Sequence, residues 1–311
     1  MKKSVVLGIF AIILIISLTA ACTRAKQSDD GPPQQAAAQE SGPTGDNVVV
    51  IMFHDVSTNT YYPPFEHKAG RDPAIETPVE LANQLAALVD NGYHVITLDR
   101  FHQFLAGQAS VPTKAVLLTF DDGYEGVFKY VTSALAKENM TATTFMITGW
   151  WDDNAHMQAY WQYLTADQGK IMLSSGIWSF GGHTYNGHYE IPSGPDGNQT
   201  GYFYATREYL ADQHRMETTD EYRERVLSDA TKMTDELKKI GVTDPLDFAW
   251  PDGRPTLLAK DILIQLGYRY FYTQTAGVNK PDPSARTWDI YRVYPGNSPQ
   301  SMLAAIREAE Q

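Results

Sequence analysis

The chain has 311 residues, 43% hydrophobic and 20% charged, which is the make-up of a folded chain and excludes wholesale disorder. That length allows one large α/β domain or two small ones. A formal net charge of −12 without any basic stripe excludes the electrostatic footprint of a nucleic-acid binder, and fits a plain soluble surface or a cationic ligand.

The N-terminus reads MKKSVVLGIFAIILIISLTAAC. Lys2 and Lys3 form a positive start, and Val5 to Leu18 is an apolar run short for a membrane span, so residues 1–22 are expected to be a signal peptide. Cys22, the only cysteine, follows Ala20 and Ala21 and resembles a bacterial lipoprotein lipobox, although Thr19 stands where that motif most often has leucine. One cysteine cannot build a disulfide framework. The expected outcome is export, with acyl chains on Cys22 holding the protein to the extracytoplasmic side of the cell membrane; a plain signal peptide with an incidental Cys22 is the alternative. Residues 23–47 are polar and rich in Pro, Gly, Gln and Ala, which predicts a disordered tether. The folded domain is expected over residues 48–311.

From there, short apolar runs alternate with helical patterns. Strands are expected at Val48–Phe53, His94–Leu98, Ala115–Phe120, Ala142–Ile147, Trp178–Gly182, Leu246–Trp250, Tyr268–Thr273 and Asp289–Tyr294. Several are continuous β-branched or aromatic runs, as in parallel strands covered on both faces. Between them, TPVELANQLAALVDNG offers Thr77 as N-cap, Pro78 at the first helical position and Glu80 to close a capping box, with Leu81, Leu85 and Leu88 as its buried stripe. TTDEYRERVLSDATKMTDELKKIG lines up Tyr222, Val226, Met233, Leu237 and Ile240, then stops at Gly241. LLAKDILIQLG ends likewise at Gly267, and SPQSMLAAIREAE carries Ser298 as cap. Alternating strands and helices predict an α/β fold with parallel strands, a distorted or incomplete (β/α) barrel as one catalytic domain, whose site lies at the C-terminal strand ends. Residues 185–216 lack a period and read as an insertion on that face.

Two clusters carry chemistry. Asp121 and Asp122 follow the strand Ala115–Phe120, and neighbouring side chains there point in different directions, so one carboxylate can face a metal while the other faces substrate. Glycosidase carboxyls must flank a bond from opposite sides, roughly 5–9 Å apart, which adjacent residues do poorly. In SFGGHTYNGH, His183 and His188 are five apart, which on a helix turns them about 140° from one another. A loop is needed to bring both inward. Two neutral imidazoles and one carboxylate make three ligands and leave a position for water, as catalytic zinc sites do.

TFDDG together with HTYNGH resembles the first two motifs of the NodB-homology polysaccharide deacetylases, carbohydrate esterase family 4. The histidine spacing of five, the early strand VVVIMFHDV and FAWPDG in place of an FAYPYG-like third motif resemble the poly-β-1,6-N-acetylglucosamine deacetylases of the intercellular-adhesin type, over Val48 to Tyr294. The resemblance implies that Asp121 is the general base, that Asp122, His183 and His188 hold the metal, and that His54 is the general acid, supplied by the N-terminal strand through a circular permutation. It implies that Pro251 and the backbone N–H of Asp252 border the oxyanion site. Asp252 stands where the family usually has an aromatic residue. The implied cofactor is a divalent metal, Zn2+ by default for this ligand set, with Co2+ or Ni2+ as alternatives.

The expected activity is removal of N-acetyl groups from an N-acetylglucosamine polymer, by a monomer without nucleic-acid partners. Peptidoglycan, chitin or xylan as substrate is the alternative within the chemistry, and an inactive glycan-binding surface lipoprotein the alternative outside it. Arg254 is a candidate to orient Asp121, with Asp289 and Arg292 as further supporting groups. Trp150, Trp151, Tyr160, Trp161, Tyr202, Phe203 and Tyr204 are expected to line a glycan groove, since sugar faces stack on aromatic rings.

Overall fold

The computed structural model describes residues 43–58, 73–151 and 162–311. The expected signal segment with Cys22, nearly all of the tether, Tyr160 and Trp161 lie outside these residues. The last tether residues are already paired: Thr44–Gly45 runs antiparallel to Val111–Pro112, so folded backbone begins before Val48. No helix among the described residues is long and apolar enough to cross a membrane.

Among the described residues, nine strands form one sheet: β1 (Val48–Phe53), β2 (His94–Val95), β3 (Ala115–Phe120), β4 (Ala142–Ile147), β5 (Trp178–Thr184), β6 (Asp247–Ala249), β7 (Tyr270–Tyr272), β8 (Trp288–Ile290) and β9 (Arg292–Val293). Their order is β8-β7-β6-β5-β4-β3-β1-β9, every neighbour parallel, with β2 beside β3. β2 pairs with β3 at Ala115 and Val116 while β4 takes the same edge at Thr119 and Phe120. Only Tyr291 separates β8 from β9, yet β8 pairs with β7 and β9 with β1. One short piece of chain thus joins the two ends of the sheet, which rolls it into the expected, nearly closed barrel.

Every residue of β1 and β3 is buried, as the near-continuous apolar runs require. Alternation sends Val48, Val50, Ala115 and Leu117 into one cluster with Phe145, Ala249, Tyr272 and Ile290, the barrel interior. Val49, Ile51, Val116 and Leu118 face outward into a larger cluster with the helices. Helix α1 (Pro78–Asp90) has the expected Thr77–Glu80 capping box and buries Leu81, Leu85 and Leu88. Each such side chain contributes about 1.5–3 kcal/mol.

The segment expected as a strand to Leu98 is strand only to Val95; Thr97 then caps α2 (Leu98–Leu105) by accepting from the Arg100 N–H at 3.2 Å. Phe101 and Phe104 of α2 enter the barrel-interior cluster, and His102 Nε2 meets Asp247 Oδ1 at 2.8 Å at the start of β6. This helix closes the N-terminal end of the barrel and leaves the C-terminal strand ends for chemistry. Among the described residues the remaining α-helices are α3 (Thr132–Lys137), α4 (Ala166–Ser174), α5 (Thr219–Ile240), α6 (Leu257–Gln265) and α7 (Pro299–Ala309). In α5 the expected stripe of Tyr222, Val226, Met233, Leu237 and Ile240 is buried, and Asp229 is buried with it. The insertion after β5 holds two small antiparallel pairs, Glu190–Pro192 with Thr200–Tyr202 and Tyr209–Leu210 with Arg215–Met216.

Candidate active site

Asp121 continues β3, donating its N–H to the Phe53 carbonyl at 2.9 Å. At Asp122 the backbone turns left-handed, φ +70°, followed by Gly123 at +78°. A left-handed aspartate is uncommon, and such residues concentrate at functional sites. The turn sends the two adjacent carboxylates to different sides. Asp122 Oδ1 stands 3.3 Å from His183 Nε2 and 3.6 Å from His188 Nε2. The ligand atoms of these three residues all lie within 4.8 Å of one another.

His183 Nδ1 lies 2.7 Å from the Ala249 carbonyl, which can only accept, so Nδ1 carries a proton. Nε2 faces Asp122, donates to it when the ring is charged, and offers a lone pair to a cation when the ring is neutral. Two atoms each about 2.0–2.1 Å from one tetrahedral ion stand roughly 3.3–3.5 Å apart, so the separations from Asp122 suit a shared cation. Burial pushes the Asp122 carboxyl up, but the hydrogen bond with His183 and the nearby imidazoles hold it well below its ordinary value. Burial pushes His183 down, yet Asp122 and Asp121 raise it overall. Burial keeps His188 below the usual histidine value. The negative field that favours a proton on His183 equally favours a divalent cation.

His183 is the next-to-last residue of β5, whereas His188 lies beyond the strand in a loop, which explains how a spacing of five reaches one point. Gly187 is required there: a Cβ would come within 2.7 Å of the Phe203 ring and 2.9 Å of Tyr204. Sequence reasoning missed Asp229, whose carboxylate accepts the N–H groups of Tyr185 and Asn186 at 2.9 and 2.8 Å. The available signal was an aspartate in the apolar stripe of α5, spaced three from Val226 and four from Met233.

Asp121 is held by Arg292, not by Arg254. Arg292 Nη1 and Nη2 donate to the two carboxylate oxygens at 2.7 and 2.8 Å, and Nε donates to the Thr273 carbonyl at 2.8 Å. Burial raises the Asp121 pKa, but the guanidinium's charge and hydrogen bonds outweigh it, with help from His183 and His54, and keep the carboxylate ionised. Arg254 instead lies 5.0 Å over the Tyr202 ring, and Asp289 faces outward to Lys260 at 2.6 Å. His54 follows β1 as Asp121 follows β3, in strands whose last residues, Phe53 and Phe120, are paired. It lies close enough to act on both Asp121 and Asp122.

Pro251, Asp252 and Gly253 form a tight turn after β6, with Asp252 left-handed at φ +51° and its carboxylate close enough to bias His188. The turn's own hydrogen bonds come from Gly253 N–H to the Trp250 carbonyl and Arg254 N–H to the Pro251 carbonyl. Of the expected groove aromatics, Trp151, Phe203 and Tyr204 are buried and serve packing. Trp150 stays at the rim, 6.3 Å from the His188 ring, and donates Nε1–H to Asn186 Oδ1 at 2.7 Å.

Known proteins are similar to this chain. The family model described as polysaccharide deacetylase matches residues 108–271. A poly-beta-1,6-N-acetyl-D-glucosamine N-deacetylase of Escherichia coli K12 is 32% identical over 227 residues, covering 70% of this chain and 33% of that protein. The chain therefore spans about a third of the length of that relative. Among solved structures, a de-N-acetylase from Aggregatibacter actinomycetemcomitans shares the fold with a TM-score of 0.71 at 22% identity, over 85% of this chain and 99% of the other. IcaB from Ammonifex degensii gives a TM-score of 0.64 at 26% identity, over 87% and 100%. The chain belongs to the polysaccharide deacetylase family.

Proposed function

We propose that this protein hydrolyses N-acetyl groups of poly-β-1,6-N-acetylglucosamine, releasing acetate and leaving free amines on the polymer. The observation that carries the reading is the convergence of Asp122, His183 and His188 beside an ionised, Arg292-held Asp121 at the open end of the barrel. The substrate rests on the 32% identity to a relative of that name. Asp122, His183 and His188 would hold a divalent cation, with Zn2+ first and Co2+ or Ni2+ as alternatives. Such an ion lowers the pKa of a bound water and polarises an amide carbonyl.

Asp121 takes the proton of the attacking water, oriented by the two guanidinium contacts. The backbone N–H of Asp252, beside Pro251, donates to the oxygen that gains negative charge. His54 protonates the leaving amine as the carbon–nitrogen bond breaks. Water and an acetamide thus become acetate and an amine. The protein works as a monomer, held by lipid on Cys22 at the extracytoplasmic face of the membrane; Cys22→Ala moves it to the soluble fraction if so.

The test is acetate release from poly-β-1,6-N-acetylglucosamine, chitin, peptidoglycan and acetylated xylan, with and without a chelator. Fastest release from the first polymer, abolished by chelation, is expected. Faster release from another polymer overturns the substrate, chelator-insensitive release overturns the metal, and glycan binding without any release overturns the enzyme.

A further inference from the structure

The loop that carries His188 is gripped from two sides. From α5, Asp229 Oδ1 accepts the Tyr185 N–H at 2.9 Å and Oδ2 accepts the Asn186 N–H at 2.8 Å. The Tyr204 hydroxyl also donates to Oδ1 at 2.8 Å. From the end of β4, the Gly149 N–H donates to the Tyr185 carbonyl at 2.7 Å and Trp150 Nε1 to Asn186 Oδ1 at 2.7 Å. Gly149 must be glycine, because a Cβ would sit 2.4 Å from that carbonyl.

Asp229 is an odd residue for its position. It is buried, and burial holds its carboxyl above the usual range although three hydrogen bonds and the nearby Lys232 charge pull it down; no ion pair to it is seen among the described residues. Lys232, one turn along α5, stands over the Tyr185 ring instead. A buried carboxylate without a direct ion pair is unfavourable, and a leucine or methionine would complete the stripe of α5 better. What a carboxylate supplies and an apolar residue does not is a pair of acceptors for two consecutive backbone N–H groups. Those groups belong to the peptides midway between the two histidines.

His183 does not need this grip, since β5 and the Ala249 carbonyl already fix it. His188 has left the strand, and its imidazole reaches Asp122 only if the chain turns correctly at Tyr185 and Asn186. We infer that Asp229 is the positioning residue that aims His188 at the metal site, with Trp150 as its counterpart across the loop. The inference rests on the reading of Asp122, His183 and His188 as a metal centre. The role is one of aiming a ligand: fixing the loop lowers the cost of ordering it when an ion binds.

The test is Co2+ binding to the chelator-stripped protein, read by competition with a chromophoric chelator and by the visible absorption of bound Co2+. Asp229→Asn keeps the shape but offers one acceptor, and turns an N–H toward one of the two donors. It is expected to weaken Co2+ binding about 10–100-fold, the usual loss for a residue supporting a ligand, and to alter the Co2+ spectrum. Saturating Co2+ should return acetate release to within about threefold of the wild type, which a general folding defect would not allow. Tyr204→Phe, which keeps both backbone bonds, should bind within about twofold of wild type. If Asp229→Asn does not fold, Trp150→Phe loosens the loop from the other side and should weaken binding roughly 3–10-fold. Folded Asp229→Asn, or in its place Trp150→Phe, with wild-type affinity and spectrum overturns the inference alone. A wild type that takes up no Co2+ overturns the metal centre and the inference together.

Discussion

Replacing Arg292 with methionine removes the guanidinium from Asp121 while keeping much of the side-chain volume. In the native protein the two carboxylate oxygens receive hydrogen bonds of 2.7 and 2.8 Å from a side chain with no solvent exposure. Opposite charges about 4 Å apart at an effective dielectric of 20 attract by about 4 kcal/mol. That is equivalent to roughly a thousandfold, and it sits within the 10²- to 10⁴-fold that a general base typically contributes. Without the guanidinium, burial dominates and favours the protonated carboxyl, which cannot accept a proton from water. Arg292→Met should therefore lower kcat/KM for acetate release by about a thousandfold at neutral pH, and the acid limb of the pH–rate profile should move to higher pH. Unfolding by urea should show a loss of about 3–5 kcal/mol, the cost of stranding one member of a buried pair. Asp121→Asn combined with Arg292→Met should recover much of that stability and none of the activity. Activity within tenfold of wild type with an unmoved acid limb would refute the claim that Arg292 keeps Asp121 basic.

Other outcomes follow from groups away from the reacting centre. Glu217 accepts from Arg225 Nε and Nη2 at 2.8 and 2.9 Å and from the Glu208 N–H at 3.0 Å. Burial raises its pKa, but those donors lower it overall, so its stabilisation is present above the ordinary carboxylate value and is lost as pH falls through the depressed one. Glu217→Gln should lower the unfolding free energy at pH 7 and flatten its decline below about pH 4.3, measured by denaturation across pH. His102 stacks on Tyr270 with centroids 3.7 Å apart and pairs with Asp247 at the end of the barrel opposite the site. His102→Ala should cost about 1–3 kcal/mol in a urea titration and leave kcat within twofold.

Local chemistry made much of this molecule legible in the sequence. The runs at Val48–Phe53 and Ala115–Phe120 are strands because burial on both faces selects apolar side chains, with Thr119 admitted only because its hydroxyl donates to the Ile51 carbonyl at 2.8 Å. Thr77, Pro78 and Glu80 announce the start of α1, since they satisfy N–H groups the helix cannot. The site residues were readable because two strands each end in metal-binding side chains. Arg292 was harder: it meets Asp121 only because β9 closes the barrel against β1, a long-range pairing that leaves no local mark. Arg254, near the third motif in sequence, was the more obvious candidate and turns away to Tyr202. Asp229 was visible as a polar interruption of a helical stripe, but its two acceptors gain meaning only once the loop lies against α5. The Phe203–Tyr204 pair looked like a sugar platform by composition, and packing under Gly187 claims it instead.

The central claim is most directly tested by a crystal structure of the protein loaded with Zn2+, with diffraction collected on both sides of the zinc absorption edge. A single anomalous peak about 2.0–2.2 Å from Asp122 Oδ1 and from the Nε2 atoms of His183 and His188 is the predicted result. Zinc bound elsewhere, with those three atoms holding none, would contradict it.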